Sequence, residues 1–251
     1  MKMFVTLFTA EFKRFWSIGM IAFALVLTGI GLIPSVIMVK AGMITTLSRI
    51  IESSDQFATF FTFLIFTAGI ISSDIKSGWV RTLLIRPITR QLYLLTKMIV
   101  VFSAMLIVMI LSITITLIIV SFDPKIILMI DPSASAIITL LKFGQIALLI
   151  ILSTMVSCGL QGSFNSLFVF AWMTLGQMLD LMVTKKYWDV KWAVVMKEYI
   201  FPTGFDDAQK AIVQQMIFPY AEIGWGFASI CFFFAVTLYF MNKIVVDLGS
   251  E

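Results

Sequence analysis

MIVVFSAMLIVMILSITITLIIVSF occupies residues 98–122, between Lys97 and Asp123, and holds no charged side chain. A helix that crosses a bilayer needs about 20 apolar residues at a rise of about 1.5 Å each, so this stretch reads as one complete crossing. Three further intervals have the same form: 15–39 between Arg14 and Lys40, 56–73 between Asp55 and Asp74, and 223–242 between Glu222 and Lys243. The interval 143–179, between Lys142 and Asp180, is too long for one helix and suits two. Cys158-Gly-Leu-Gln-Gly-Ser-Phe-Asn165 supplies the turn between them through Gly159 and Gly162. The sequence therefore predicts an all-α membrane protein, a single transmembrane domain over 1–251. Its six transmembrane helices fall at roughly 17–39, 56–73, 98–121, 137–158, 164–183 and 223–242.

Little polar material remains outside these intervals. The 251 residues are 60% hydrophobic and 13% charged, with a mean hydropathy of +1.04, whereas globular domains are about 25% charged. The 18 Lys+Arg and 14 Asp+Glu cannot furnish the surface of a soluble protein of this length. No His occurs, which removes His-based zinc and haem sites, Ser-His-Asp triads and imidazole proton relays. Cys158 and Cys231 each lie in an apolar run, without metal-binding spacing, and are expected to be small buried residues. An intramembrane enzyme would need a catalytic cluster, and no pair of acids falls within a span. No nucleic-acid partner is expected.

The first apolar run starts after Lys13-Arg14, is long enough to span and lacks a clear small-residue cleavage site, so it reads as a helix rather than a signal peptide. Before it, Phe4, Phe8, Phe12 and Phe15 recur at helical spacing opposite Lys2, Thr6, Thr9 and Lys13, which predicts an interfacial helix over 1–16. Glu11 falls within the aromatic face, and Arg14, three residues on, is its expected partner. Five cations in 74–97, against two in the comparable segment 40–55, place the N-terminus inside.

The polar stretch with most information is Asp74-Ile-Lys-Ser-Gly78-Trp79-Val-Arg81-Thr-Leu83-Leu84-Ile-Arg86-Pro87-Ile-Thr-Arg90-Gln-Leu-Tyr93-Leu-Leu-Thr-Lys97. Trp79 and Leu83 form an apolar stripe at helical spacing from which Arg81 and Arg86 can point away. Pro87 drives Arg86 out of the α region and ends that short helix. A second helix is predicted to begin near Thr89 and run into the third span, with Lys97 at the membrane edge. Taken alone, this is an interfacial helix whose cations meet anionic headgroups.

The order Asp74, Gly78, Leu83-Leu84, Pro87, Arg90, Lys97 resembles the signature of ABC-2 type permeases, the membrane subunits of ATP-driven exporters. Asp74 stands where Glu is more usual, and Trp79 where a small Thr is common. The motif covers a small part of the chain, while the family's six-helix architecture covers nearly all of it. The resemblance implies that 74–90 is a cytoplasmic coupling helix and loop, docked into a cleft on a separate ATPase. Arg81, Arg86 and Arg90 would meet acidic or backbone groups there, and Trp79 or Leu83 would fill an apolar pocket. It further implies two copies of that cytoplasmic ATPase, carrying ATP and Mg, and a second permease subunit in a homodimer or heterodimer. Residues 1–16, with Glu11 and Arg14, would form the connecting helix. The setting would be the bacterial cytoplasmic membrane, with both termini cytoplasmic. No Gly-Lys dipeptide occurs, hence no phosphate loop: ATP hydrolysis is expected of another chain, and this one is expected to bind no cofactor and to be no enzyme.

Residues 184–222 form the one long loop. Trp188, Trp192, Val195, Met196 and Tyr199 fall at helical spacing beside Lys185, Lys186, Lys191 and Lys197, an interfacial combination. After Pro202, Thr203-Gly-Phe-Asp206 resembles a capping box opening a second short helix through about Ile217. Two such helices before the last crossing look like the outer re-entrant helices of ABC-2 exporters. Lys142, Asp180 and Glu222 are expected to snorkel to the outer interface, or, for Asp180 together with Gln177, to line an outer mouth of the transport path. Apolar spans favour an amphiphilic or hydrophobic cargo across the bilayer, and the resemblance points to a peptide, peptide antibiotic or toxin. The competing class is a stand-alone secondary transporter or channel for a hydrophobic solute. It predicts mid-span carboxylates or broken helices in related halves, and neither is evident.

Overall fold

The computed structural model describes residues 2–16, 26, 29, 33, 36–52, 66–68, 70–78, 89–122, 129, 131–159, 164–184, 204–214 and 218–249. Among these the protein is mostly helical and has no strand. Its elements are α1 (Lys2–Phe15), α2 (Ser72–Lys76), α3 (Arg90–Ser121), α4 (Pro132–Gly159), α5 (Phe164–Thr184), α6 (Gly204–Val213) and α7 (Tyr220–Gly249). Three helical stretches are long and apolar enough to cross a membrane: Gln91–Ser121, Pro132–Gly159 and Tyr220–Lys243. The fifth predicted crossing falls on α5, whose apolar stretch Leu167–Gly176 is shorter. The first two, at 17–39 and 56–73, lie largely outside the described residues.

Local chemistry sets the helix starts. Thr89 has extended backbone (φ −72°, ψ 146°), and its side chain accepts the Leu92 N–H at 3.3 Å, so α3 opens where the sequence predicts. Helix α4 opens at Pro132, earlier than the expected 137. Proline fits a first turn because that position needs no N–H, and the preceding Asp131 carbonyl accepts from Ser135 N at 2.9 Å. Helix α6 ends at Val213, short of the expected Ile217.

Helix α4 is the centre of the bundle: α7, α6, α5 and α3 all pack on it, while α1 packs on α3. One face of α3, running through Leu94, Met98, Val101, Met105 and Val108, shares a buried cluster with Leu141, Ile146, Leu148 and Ile150 of α4. The other face shows Ile99, Ile107, Ile110 and Ile118, and α7 shows Phe227, Phe232 and Tyr239. Apolar surface of this extent is what hydrocarbon covers without cost. Cys231 is exposed on α7, contrary to the expectation of burial, because α7 turns most of its circumference outward. Cys158 is half-buried, its thiol directed at Thr154 O, 3.4 Å away.

Two ends of the bundle differ in chemistry. The near end gathers α1, α2, the start of α3, the end of α4 and the start of α5. At the far end, residues 45–47 and Met129 pair backbone to backbone (Met129 N to Thr45 O, 2.9 Å; Leu47 N to Met129 O, 3.0 Å). Beside that pairing, the Asp131 carboxylate takes the Ser48 hydroxyl, the Ser48 N–H at 3.0 Å and the Ser135 hydroxyl at 3.0 Å. Burial acts to raise the Asp131 pKa, but the hydrogen bonds from Ser48 and Ser135 outweigh it and hold the carboxyl below its usual range.

Helix α6 is seated against α4 and α7 by Phe205, 1% exposed, whose ring lies between two glycines. A Cβ at Gly144 of α4 or Gly226 of α7 would come within 2.7 or 2.8 Å of that ring. The edge of Phe227 closes the seat at 5.4 Å between centroids.

Candidate functional site

At the near end, four charged groups from three elements converge. Glu11 of α1 is 4% exposed and Asp74 of α2 is fully buried, a placement carboxylates adopt only with partners. Lys97 of α3 serves both: its ammonium lies 2.6 Å from Glu11 Oε2 and 2.7 Å from Asp74 Oδ2. Arg14 of α1 reaches Asp74 Oδ1 at 2.9 Å from the half-exposed side. Tyr93, one turn before Lys97 on α3, donates its hydroxyl to Asp74 Oδ2 at 2.7 Å. Two acids and two bases leave the cluster neutral, which is what makes the burial of either carboxylate tolerable.

The sequence named Arg14 as the partner of Glu11. The structure adds Lys97 as a partner of Glu11 and Asp74 as a partner of Arg14. The reason is the packing of α1 on α3, which brings in a cation 86 positions away by number that no local spacing can reveal. The buried line of α1 is accordingly Leu7 and Glu11, with Phe8 and Phe12 half-buried beside it.

Asp74 is itself placed by distant groups. Ile71, at the N-cap of α2, offers no side-chain acceptor; instead Ser157 Oγ, near the end of α4, accepts from both Ile71 N and Ser72 N at 3.1 Å. Asn165 Nδ2 at the start of α5 donates to Thr67 O at 2.8 Å and to Ser153 Oγ at 3.0 Å. The Phe15 ring stands edge-on to Phe66 at 5.0 Å, joining the end of α1 to the same segment. After α2 the chain turns through Gly78 at φ +70°, a left-handed conformation glycine adopts without penalty.

The cluster thus brings together Asp74, Lys97, Glu11 and Arg14 from the predicted site. Gly78 lies one turn from Asp74, and Arg90 is the first residue of α3. Trp79, Arg81, Leu83, Leu84, Arg86 and Pro87 lie outside the described residues, as do the side chains of Gln177 and Asp180 on α5. Lys142 corrects an expectation: it does not snorkel but is 5% exposed, its ammonium donating to Glu52 O at 3.2 Å. Glu222 is exposed in the first turn of α7. Tyr93, Ser153, Ser157 and Asn165 were not singled out as site residues. Tyr93 stood inside the quoted motif, and Asn165 closed the quoted turn; the hydroxyls of α4 carried no signal, since a Ser in an apolar helix usually bonds its own backbone.

Among the described residues no group of three or more His, Cys, Asp or Glu is placed to hold a metal ion. A cluster of buried ion pairs shared by α1, α2 and α3 fixes the relative position of these three chain segments. Comparison with protein-family models finds no match, and searches of curated proteins and of solved structures find none either.

Proposed function

We propose that this chain is the membrane-spanning permease subunit of an ATP-driven exporter of the ABC-2 type. It moves an amphiphilic or hydrophobic cargo, foremost a peptide, peptide antibiotic or toxin, outward with energy from ATP hydrolysed by a separate cytoplasmic ATPase. In this reading the near end faces the cytoplasm, six helices cross the bacterial cytoplasmic membrane, and a second permease copy or homologue completes the path. Residues 184–222, with α6, form its outer cap.

One observation carries the reading: the two ends of the stretch 78–90 return to a single buried carboxylate. Asp74, just before it, is held by Tyr93 and Lys97, just after it, and by Arg14 of α1. A loop anchored in this way passes a push on its tip to α1 and α3 together instead of absorbing it, as a coupling element must. The resemblance of the motif and the absence of a phosphate loop assign the push to a partner.

The test is co-expression with any ABC ATPase encoded in an adjacent reading frame, followed by co-purification and cargo transport in vesicles. Charge reversal at Arg86 and Arg90 is expected to abolish assembly or cargo-stimulated hydrolysis while leaving the chain folded. If both survive the reversal, the coupling role is wrong. Cargo movement by this chain alone, without ATP, would favour a stand-alone transporter.

A further inference from the structure

The sequence predicts one uninterrupted crossing at 56–73, yet the described part of that interval is broken. Phe66 is helical, residues 67, 68, 70 and 71 are not, and the helix resumes with α2 at Ser72. Across the break Ile70 N bonds Thr67 O at 3.2 Å, a three-residue turn, and Ile71 O then accepts from Asp74 N and Ile75 N, both at 3.0 Å, to open α2.

A break in an apolar segment frees backbone groups that hydrocarbon cannot satisfy, so it is tolerated only where protein surrounds it. Thr67, Ile71 and Ser72 are buried, and two other elements supply their partners. On the Phe66 side, Asn165 of α5 donates from Nδ2 to Thr67 O at 2.8 Å. On the α2 side, Ser157 Oγ of α4 accepts from Ile71 N and Ser72 N, both at 3.1 Å. Asn165 is held in turn by Ser153, whose Oγ and O accept from the same Nδ2 at 3.0 and 3.3 Å. All three partners of Nδ2 are acceptors, which assigns the orientation of the amide. Hydroxyls elsewhere in the apolar helices bond their own backbone four residues back, as those of Thr96, Thr116 and Thr154 do. Ser157 is spent on another segment instead.

We propose that this break is a joint through which a displacement of α2 is passed to α4 and α5, with Ser157 and Asn165 as its positioning residues. Capped on both sides, α2 cannot shift without drawing the end of α4 and the start of α5 with it or breaking these hydrogen bonds. Asp74 sits in the first turn of α2. One short helix is therefore gripped twice: through the Asp74 carboxylate by α1 and α3, and through the backbone ahead of it by α4 and α5. That the joint carries force during export rests on the export reading; the joint itself does not.

The joint is tested on the purified full chain in phosphatidylcholine nanodiscs, without ATPase or ATP, by hydrogen exchange in peptides covering 70–76. Asn165→Leu removes the donor at similar volume and touches no amide of α2, so a purely local defect would leave α2 protected. Exchange in those peptides is expected to quicken roughly tenfold or more, and unchanged exchange overturns the joint. Ser153→Ala, which removes one acceptor of Asn165, serves if Asn165→Leu fails to fold, and should quicken the same peptides to a smaller extent.

Transmission is tested by adding the co-purified ATPase and a non-hydrolysable ATP analogue. Exchange in peptides covering 164–184 of the wild type is expected to change about fivefold or more, the low end of a coupling free energy between two sites. Ser157→Ala and Asn165→Leu should lose that response while still binding the ATPase, and Ser157→Thr, which keeps the hydroxyl, should retain it. A response that survives in both variants, or a wild type that binds the ATPase with α5 silent, overturns transmission. A wild type that binds no ATPase refutes the export reading, and transmission with it, while the exchange at 70–76 still decides the joint.

Discussion

The Tyr93 hydroxyl donates to Asp74 Oδ2 at 2.7 Å, tying the first turn of α3 to the short helix α2. Tyr93→Phe keeps the ring and removes the donor, and is expected to cost about 1.5–3 kcal/mol, the usual worth of a hydrogen bond to a charged group. Asp74→Asn removes the charge that Arg14 and Lys97 neutralise and is expected to cost about 3–5 kcal/mol. Thermal unfolding in detergent should rank Asp74→Asn below Tyr93→Phe and both below the wild type; the reverse order would deny Asp74 its central place.

Lys97 stands between two carboxylates, and this makes a double-mutant cycle informative. Lys97→Met leaves Glu11 and Asp74 buried with one cation fewer, so it should destabilise more than Glu11→Gln does. The double variant should be more stable than the sum of the single losses predicts, by about 0.5–3 kcal/mol, the coupling typical of residues in one ion-pair network. Strict additivity would mean the short distances carry no energy.

Ser157→Ala removes the acceptor shared by the amides of Ile71 and Ser72. Leaving a buried N–H without its acceptor costs about 1–3 kcal/mol, so exchange at these two amides should quicken by roughly 10- to 100-fold. Hydrogen exchange with peptide-level mass spectrometry reads this directly, and unchanged protection in the segment containing both would show that α4 does not hold α2.

The glycines separate two kinds of cost. A Cβ at Gly204 would lie 2.5 Å from the backbone oxygen of Glu222, which no rotamer change relieves, so Gly204→Ala should lift α6 off α7. At Gly78 a Cβ meets nothing within 4 Å, and Gly78→Ala should cost only the left-handed backbone, about 1–2 kcal/mol. Gly226→Ala meets the flexible ring of Phe205, and Phe205→Leu should partly rescue it. Melting temperatures of the five proteins, wild type included, test the ranking.

Asp131 predicts a pH dependence of definite sign. Its pKa is lower folded than unfolded, so its contribution to stability is fully present above the ordinary carboxylate value and fades as pH falls through the depressed one. Asp131→Asn should flatten that acid limb of the melting-temperature profile. A limb of equal steepness in the variant would place the loss elsewhere.

Three of the six expected crossings fall on helices long and apolar enough to span, and these were legible in the sequence because charge is scarce: the charge-free intervals that begin after Lys97 and after Glu222 lie within two of them. The opening of α3 after Thr89 was legible for a local reason as well, since an N-cap acts within four residues. The same scarcity identified Glu11 as a group that would need a partner, while Asp74 and Lys97 stood out only as positions of the motif.

Which partner each would take was not written there. Glu11 meets Lys97 and not only a neighbour on its own helix, because α1 lies along α3; Lys142 is buried rather than snorkelled, because the carbonyl of Glu52 is within reach; Ser157 caps a helix it is nowhere near in sequence. Hydrophobic periodicity and charge spacing act over one or two turns, and so the sequence by itself determined the helices and their chemistry. Ion pairs and hydrogen bonds act over about 3 Å between segments brought together by packing, and those only the tertiary structure decided.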